Sequence, residues 1–303
     1  IMGAFVFAAQ MINIQLPAMP GTSAHMIGAV LLAILLGPHA GALVMSSVII
    51  VQCLIFQDGG LLALGCNLLN MALLPSYLGF AVYGMIAQNS ASPRRLALGT
   101  MAATFVTVEM VAILIPIQAQ LSGVLAVPFS VFLMTMLAVH VLVGLMEGLL
   151  TIAVLQYLRQ LRPGLSVMPL PGRQRFSLKA TLGTLALLAL LIAGGLSLIA
   201  SDLPDGLEWA YAQRPDQPEF QPMTGKAHQS VENVDNLQAK LAPIPNYTRR
   251  GKPLGQKNKE PLAAASAWTS FAGVTGSLLT MGLVWFASMI IRKTKQSPAL
   301  KTC

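Results

Sequence analysis

Several runs of about 20 apolar residues dominate this 303-residue chain, and that is the length needed to cross the hydrocarbon core of a bilayer. A segment in lipid must satisfy its backbone hydrogen bonds internally, which leaves helices or closed barrels. Barrel strands alternate apolar and polar residues, and these runs do not. The expected fold class is therefore all-α, a polytopic transmembrane helical bundle. Composition agrees: 55% of residues are hydrophobic and 10% charged, against roughly a quarter charged in soluble domains. The formal charge of +8 is not a nucleic-acid footprint. The basic residues cluster in loops beside apolar runs, where membrane orientation uses them. The partner this implies is the lipid bilayer, with no nucleic acid. Cys53 and Cys66 fall within apolar helices and Cys303 ends the chain, which gives no disulfide framework. Ile1 to Phe5 carry no basic n-region and no cleavage pattern, so they do not read as a signal peptide.

Residues 1–15 read as a helix that is apolar except for Gln10, Asn13 and the last residue, Gln15. Pro17, Pro20 and Gly21 break it. Ser23 is suited to cap a helix over 25–36, which would put His25 in its first turn. Gly37-Pro38-His39 reads as a tight turn, 40–56 as a helix and Gln57-Asp58-Gly59-Gly60 as a second turn. The apolar stretch 61–88 is interrupted by Pro75. Asn67 and Asn70, three apart, share one of its faces. Amides at membrane depth need partners, so the pair either ties helices together or supports a ligand site. Glu109 lies within a helix over 94–116. A carboxylate there is costly and faces the protein interior; it reads as a packing hydrogen bond or as part of a transport path. His140 and Glu147 lie two turns apart on a helix over 128–158. Their heads are about 10 Å apart along the axis, which allows a polar seam but not one metal site made by the two alone.

Arg159 to Lys179 form a basic linker containing three prolines. A helix over 178–200 follows. Residues 201–260 are polar and rich in Pro, Gln and Asn, and read as an extended loop with partial disorder in which His228 is solvated. A last helix over 263–291 precedes a basic tail. The positive excess places 89–95, 159–179 and 292–303 in the cytoplasm, and 17–24, 57–60 and 201–260 outside. His25 and Asp58 are then expected at the external mouth.

Four stretches carry a resemblance. Gly21-Thr22-Ser23-Ala24-His25-Met26-Ile27-Gly28, followed by Leu35-Leu36-Gly37-Pro38-His39, and Phe56 to Ala72 are similar to the CbiM/NikM family. So is the HxxxGxxEGxxT pattern of His140, Gly144, Glu147, Gly148 and Thr151. Pro204-Asp205-Gly206-Leu207-Glu208 resembles the PDGLE segment of the family's N-type companion, here fused to the M-type part. The resemblance implies three regions. Residues 1–160 would be a membrane metal-capture domain whose first helix lies ahead of Ile1. Residues 161–179 would be a cytoplasmic linker, and 180–303 an N-type part with two transmembrane helices and an external loop 201–260. It implies the substrate-capture subunit of a cobalt or nickel importer of the energy-coupling-factor type, multi-pass in the inner (plasma) membrane. Its partners would be a T-type membrane coupling subunit and ATPase subunits. Nickel or cobalt ion would be the transported substrate, with no organic cofactor. His25 matches the family's metal-binding histidine, and the family's Met-His start has no match here. Asn67, Asn70, His140 and Glu147 carry over as supporting residues.

Imidazole suits Ni(II) and Co(II), and geometry must supply selectivity between metals. No G-x-x-x-x-G-K-[ST], H-E-x-x-H or G-x-S-x-G pattern is present, so neither a phosphate loop nor a common hydrolase site is expected, and there are no catalytic residues. Two other readings stay open: a secondary metal or ion carrier using Glu109 and Glu147 as a proton path, and an inert membrane scaffold.

Overall fold

The computed structural model describes residues 1–12, 14–15, 23–87, 90, 92–123, 125, 127–161, 177–195, 226–247 and 262–296. In chain order these form α1 (Met2–Gln10), a short antiparallel ribbon of β1 (Ile14–Gln15) with β2 (Ser23–Ala24), α2 (Ala29–Leu36), α3 (Pro38–Phe56) and α4 (Gly60–Asn67). A π-helical segment (Leu68–Leu73) leads into α5 (Leu74–Ala87), then α6 (Pro93–Leu121), α7 (Phe129–Leu161) and α8 (Leu178–Gly194). The last elements are α9 (Lys226–Leu241), a 3-10 turn (Pro245–Tyr247) and α10 (Leu262–Gln296). Among the described residues, five spans are long and apolar enough to cross a membrane: α3, the run from α4 through α5, α6, α7 and Trp268–Lys293 within α10. The apolar α8 is shorter. The protein is a multi-pass helical membrane protein, as its apolar runs imply.

Every residue of α1 is buried, and a helix that is apolar all round belongs at the centre of its bundle. Phe7 packs against Phe56 of α3, with ring centroids 5.7 Å apart. On its other side α1 meets α8 and α10. Gly276 of α10 gives up its side-chain volume to the Phe7 ring, and Ser277 donates to the Ala4 carbonyl at 3.4 Å.

Pro75 does not break its helix. The π-helical turn over Leu68–Leu73 runs directly into α5, so the missing N–H of Pro75 is accommodated by a local widening instead of a loop. Buried Asn70 sits in that wide turn. It exchanges amide hydrogen bonds with Gln118 of α6: Asn70 Nδ2 donates to Oε1 at 2.7 Å, and Gln118 Nε2 returns one at 3.0 Å. Asn70 thus ties two helices together. α6 and α7 pack along much of their lengths. Gly144 lies against Phe105 and Val108, and Gly148 against Met101 and Thr104. This is the small-xxx-small spacing by which membrane helices approach closely.

The polar region expected as an extended loop contains α9, which is a correction to that expectation. Its residues need no apolar core of their own because they dock on the α3–α4 turn. Gln238 Nε2 donates to the Cys53 carbonyl at 2.9 Å, and its Oε1 accepts from Leu61 N–H at 2.7 Å. One side chain thereby serves both the open carbonyl end of α3 and the open amide end of α4. Gln57 donates to the Asp235 carbonyl, Ile244 N–H to the Ile55 carbonyl, and Tyr247 O–H to the Asp58 carboxylate. Tyr247 also stacks on Phe56 with centroids 4.7 Å apart. Burial at this junction pushes the Asp235 carboxyl above the usual carboxylate range.

Candidate functional site

His25 lies between β2 and α2. The helix begins at Ala29, with Gly28 as its N-cap, and no side chain caps it locally. Ser23 belongs to the ribbon, so the expected Ser23 cap and the expected helical turn at His25 are both corrected. The reason is a long-range acceptor. Glu147 reaches from α7 to the start of α2: its Oε2 accepts from Ile27 N–H and its Oε1 from Gly28 N–H, both at 2.9 Å. A carboxylate at a helix N-terminus is the favourable sign for the helix dipole. Glu147 is 2% exposed, so its pairing with two backbone donors also meets the rule that buried charge must be hydrogen-bonded.

The carbonyl side of the same segment is held as well. Gln10, at the end of α1, donates from Nε2 to the Ile27 carbonyl at 2.7 Å. Its Oε1 accepts from Gln52 Nε2 of α3 at 3.0 Å. His25 Nδ1 lies 3.0 Å from the Met26 carbonyl. A carbonyl can only accept, so Nδ1 carries the proton in that bond and the Nε2 lone pair is left for another ligand. His140 has the same tautomer for the same reason, its Nδ1 donating to the Met136 carbonyl at 2.7 Å. His140 lies two turns before Glu147 on the same face of α7, and Glu147 holds the residues that follow His25. The structure therefore brings His25, His140 and Glu147 into one polar region.

It does not bring the two asparagines into those bonds. Asn70 pairs with Gln118, and Asn67 lies over the 57–60 turn, its amide nitrogen filling the place a side chain on Gly59 would take. His39 bonds Tyr77 at 2.9 Å. His228 falls in α9. Pro204, Asp205, Gly206, Leu207 and Glu208 lie outside the described residues. Among the described residues, no three His, Cys, Asp or Glu side chains gather to hold a metal ion. His25 supplies one nitrogen donor and no completed site. Glu147 stands about 27 Å along α7 from Phe129, close to the middle of that helix, and the two residues it holds, Ile27 and Gly28, are buried while His25 is half-buried. The segment it holds is therefore inside the bundle. The sequence reading marks Gln10 only as a polar residue of the first helix and does not reach Gln52; a lone amide within an apolar run is the signal each offers.

Gly28 is fixed by conformation and by space. Its φ is +77°, and an added Cβ would lie 2.8 Å from Val6 Cγ1. Gly28→Ala is expected to destabilise the protein by about 2–4 kcal/mol, from left-handed strain and overpacking together. Thermal unfolding in detergent measures this. Adding Val6→Ala should recover only the packing share, and full recovery would show that the backbone conformation costs nothing.

Residues 1–165 match the family model described as the CbiM cobalt uptake substrate-specific transmembrane region, and residues 179–293 match the PDGLE domain. A putative fused nickel transport protein NikMN of Archaeoglobus fulgidus is 40% identical over 54% of this chain and 53% of its own length. A probable fused nickel transport protein LarMN of Lactiplantibacillus plantarum is 31% identical over 69% of this chain and 64% of its own. The cobalt transport protein CbiM of Clostridium tetani is 29% identical over 51% and 62%. The chain thus spans between half and two thirds of the length of these relatives. With a family match over more than half of its residues and the companion domain following it in the same chain, this protein belongs to the CbiM family and carries a fused PDGLE domain.

Proposed function

We propose that this chain is the substrate-capture subunit of an ATP-driven cobalt or nickel importer, with residues 1–160 as the capture part, 161–179 as a cytoplasmic linker and 180–303 as the N-type part. The observation that carries the reading is His25: one imidazole with a free Nε2, on a segment pinned deep in the bundle by a buried carboxylate. Neutral imidazole is the metal-binding form, and nitrogen donors suit these two ions. A single imidazole makes a weak site, because strong binding needs several donors in fixed geometry. The other donors are assigned to the Met-His start that the family resemblance implies. Glu147 and His140 act by holding the ligand segment and lining its surroundings. Asn67 and Asn70 act more remotely, by fixing the 57–60 turn and the wide turn of the neighbouring helix. The docking of α9 on the 57–60 turn supports placing 57–60 and the N-type loop on the same, external, side.

ATP hydrolysis is assigned to separate ATPase subunits acting through a T-type coupling subunit. The carrier reading loses ground because both oxygens of Glu147 are committed to backbone N–H groups, which leaves a poor proton relay. Uptake of radioactive nickel or cobalt into vesicles decides between the two. Accumulation should require co-expressed coupling and ATPase subunits and internal ATP. Accumulation driven by an imposed proton gradient without ATP would overturn the importer reading.

A further inference from the structure

Gln10 and Gln52 have no place in the function proposed so far, yet both amides are buried, at 2% and 6% exposed. Two successive peptide units explain them. In the unit joining Met26 to Ile27, the carbonyl accepts from His25 Nδ1 at 3.0 Å and the N–H donates to Glu147 at 2.9 Å. In the unit joining Ile27 to Gly28, the carbonyl accepts from Gln10 at 2.7 Å and the N–H donates to Glu147 at 2.9 Å. Each plane is gripped at both edges, so neither can rotate without breaking a buried hydrogen bond. The planes share the Cα of Ile27, so fixing the second limits the first, and the first holds the His25 ring. Gln52 Nε2 donates to Gln10 Oε1 at 3.0 Å, which settles which end of the Gln10 amide faces Ile27. A Gln10 turned the other way would set oxygen against oxygen.

We propose that Gln10 and Gln52 are positioning residues for the metal ligand: Gln52 orients the Gln10 amide, Gln10 locks the Ile27–Gly28 peptide plane, and the locked segment aims His25 Nε2. This rests on the reading of His25 as a metal ligand. The device sets ring orientation through the main chain, from α1 and α3. The carboxylate of α7 alone would leave the carbonyl edge of the second plane free. Hydrogen-bonded chains of this kind strengthen one another in a low-dielectric interior, and partners that orient a metal-binding histidine commonly matter about 10–100-fold in metal affinity.

The test uses the protein carrying the family's Met-His start, in detergent, with Ni(II) as the probe. Gln10→Met and Gln52→Met keep the length of the side chain and remove its hydrogen bonds. Gln10→Met is expected to weaken Ni(II) binding about tenfold or more and to shift the Ni(II) ligand-field absorption, which a loss of stability alone would not do. Gln52→Met should have a smaller effect, and the double variant should match Gln10→Met because Gln52 acts only through Gln10. Unchanged affinity and spectrum in Gln10→Met, or additive effects in the double variant, overturn the proposal. If Gln10→Met does not fold, Gln52→Met carries the test, and an unchanged dissociation constant there overturns it. His25→Ala is run beside them: if that variant binds Ni(II) like the wild type, the ligand assignment fails. If it loses binding while Gln10→Met does not, the assignment stands and only the positioning role falls.

Discussion

Glu147→Ala should strand two buried backbone donors, Ile27 N–H and Gly28 N–H, at a cost of about 1–3 kcal/mol each. The cavity left in a tightly packed interior adds to this. We expect a clear drop in unfolding temperature and faster hydrogen exchange at 27–29 than in the remainder of α2. Glu147→Gln keeps the shape and one good acceptor, but turns its NH2 toward the other N–H, so it should lose a substantial part of the same stability. Exchange that stays slow at 27–29 in Glu147→Ala would mean that the carboxylate is not what holds the segment.

His25→Ala should abolish tight binding of Ni(II) and Co(II) in a protein that carries the family's Met-His start, while leaving stability close to wild type because the ring is half-buried and its hydrogen bond is to the adjacent residue. His39→Ala should leave metal binding intact, since His39 is occupied with Tyr77. The same holds for His228→Ala, on a helix of the N-type part. Titration calorimetry with each metal reads the difference. Among the described residues no three His, Cys, Asp or Glu side chains gather to hold a metal, so the 303-residue chain alone is expected to bind either ion weakly. Tight binding that survives in His25→Ala would move the site elsewhere.

The helices were legible in the sequence because crossing a bilayer imposes a length and a composition that local reading can see. Their ends were not, where a distant residue sets them. The start of α2 moved from His25 to Ala29 because its capping acceptor comes from Glu147, about 120 residues away. Gln10 read as an isolated polar residue for a similar reason: its partners are 17 and 42 residues distant. Pro75 read as an interruption because a wide turn before a proline leaves no signature in residue type. The helix-tying reading of Asn70 needed its partner Gln118 to be settled. α9 was missed because its polar residues average to a loop-like composition, while its stability comes from a turn far away in the chain.

The grip on residues 26–28 takes hold of main-chain atoms and ignores side chains. Substitutions at Ile27 are therefore expected to be forgiving in one sense and absolute in another. Valine or leucine offers the same N–H and carbonyl to Glu147 and Gln10, so the histidine keeps its aim. Proline offers no N–H, so one ring closure at a position that touches no metal would release the carboxylate, loosen the amide pair and leave the imidazole without a fixed bearing. The specificity of this region is written into the path of the backbone, and residue 27, buried in the apolar core, can vary among apolar side chains so long as it remains able to donate.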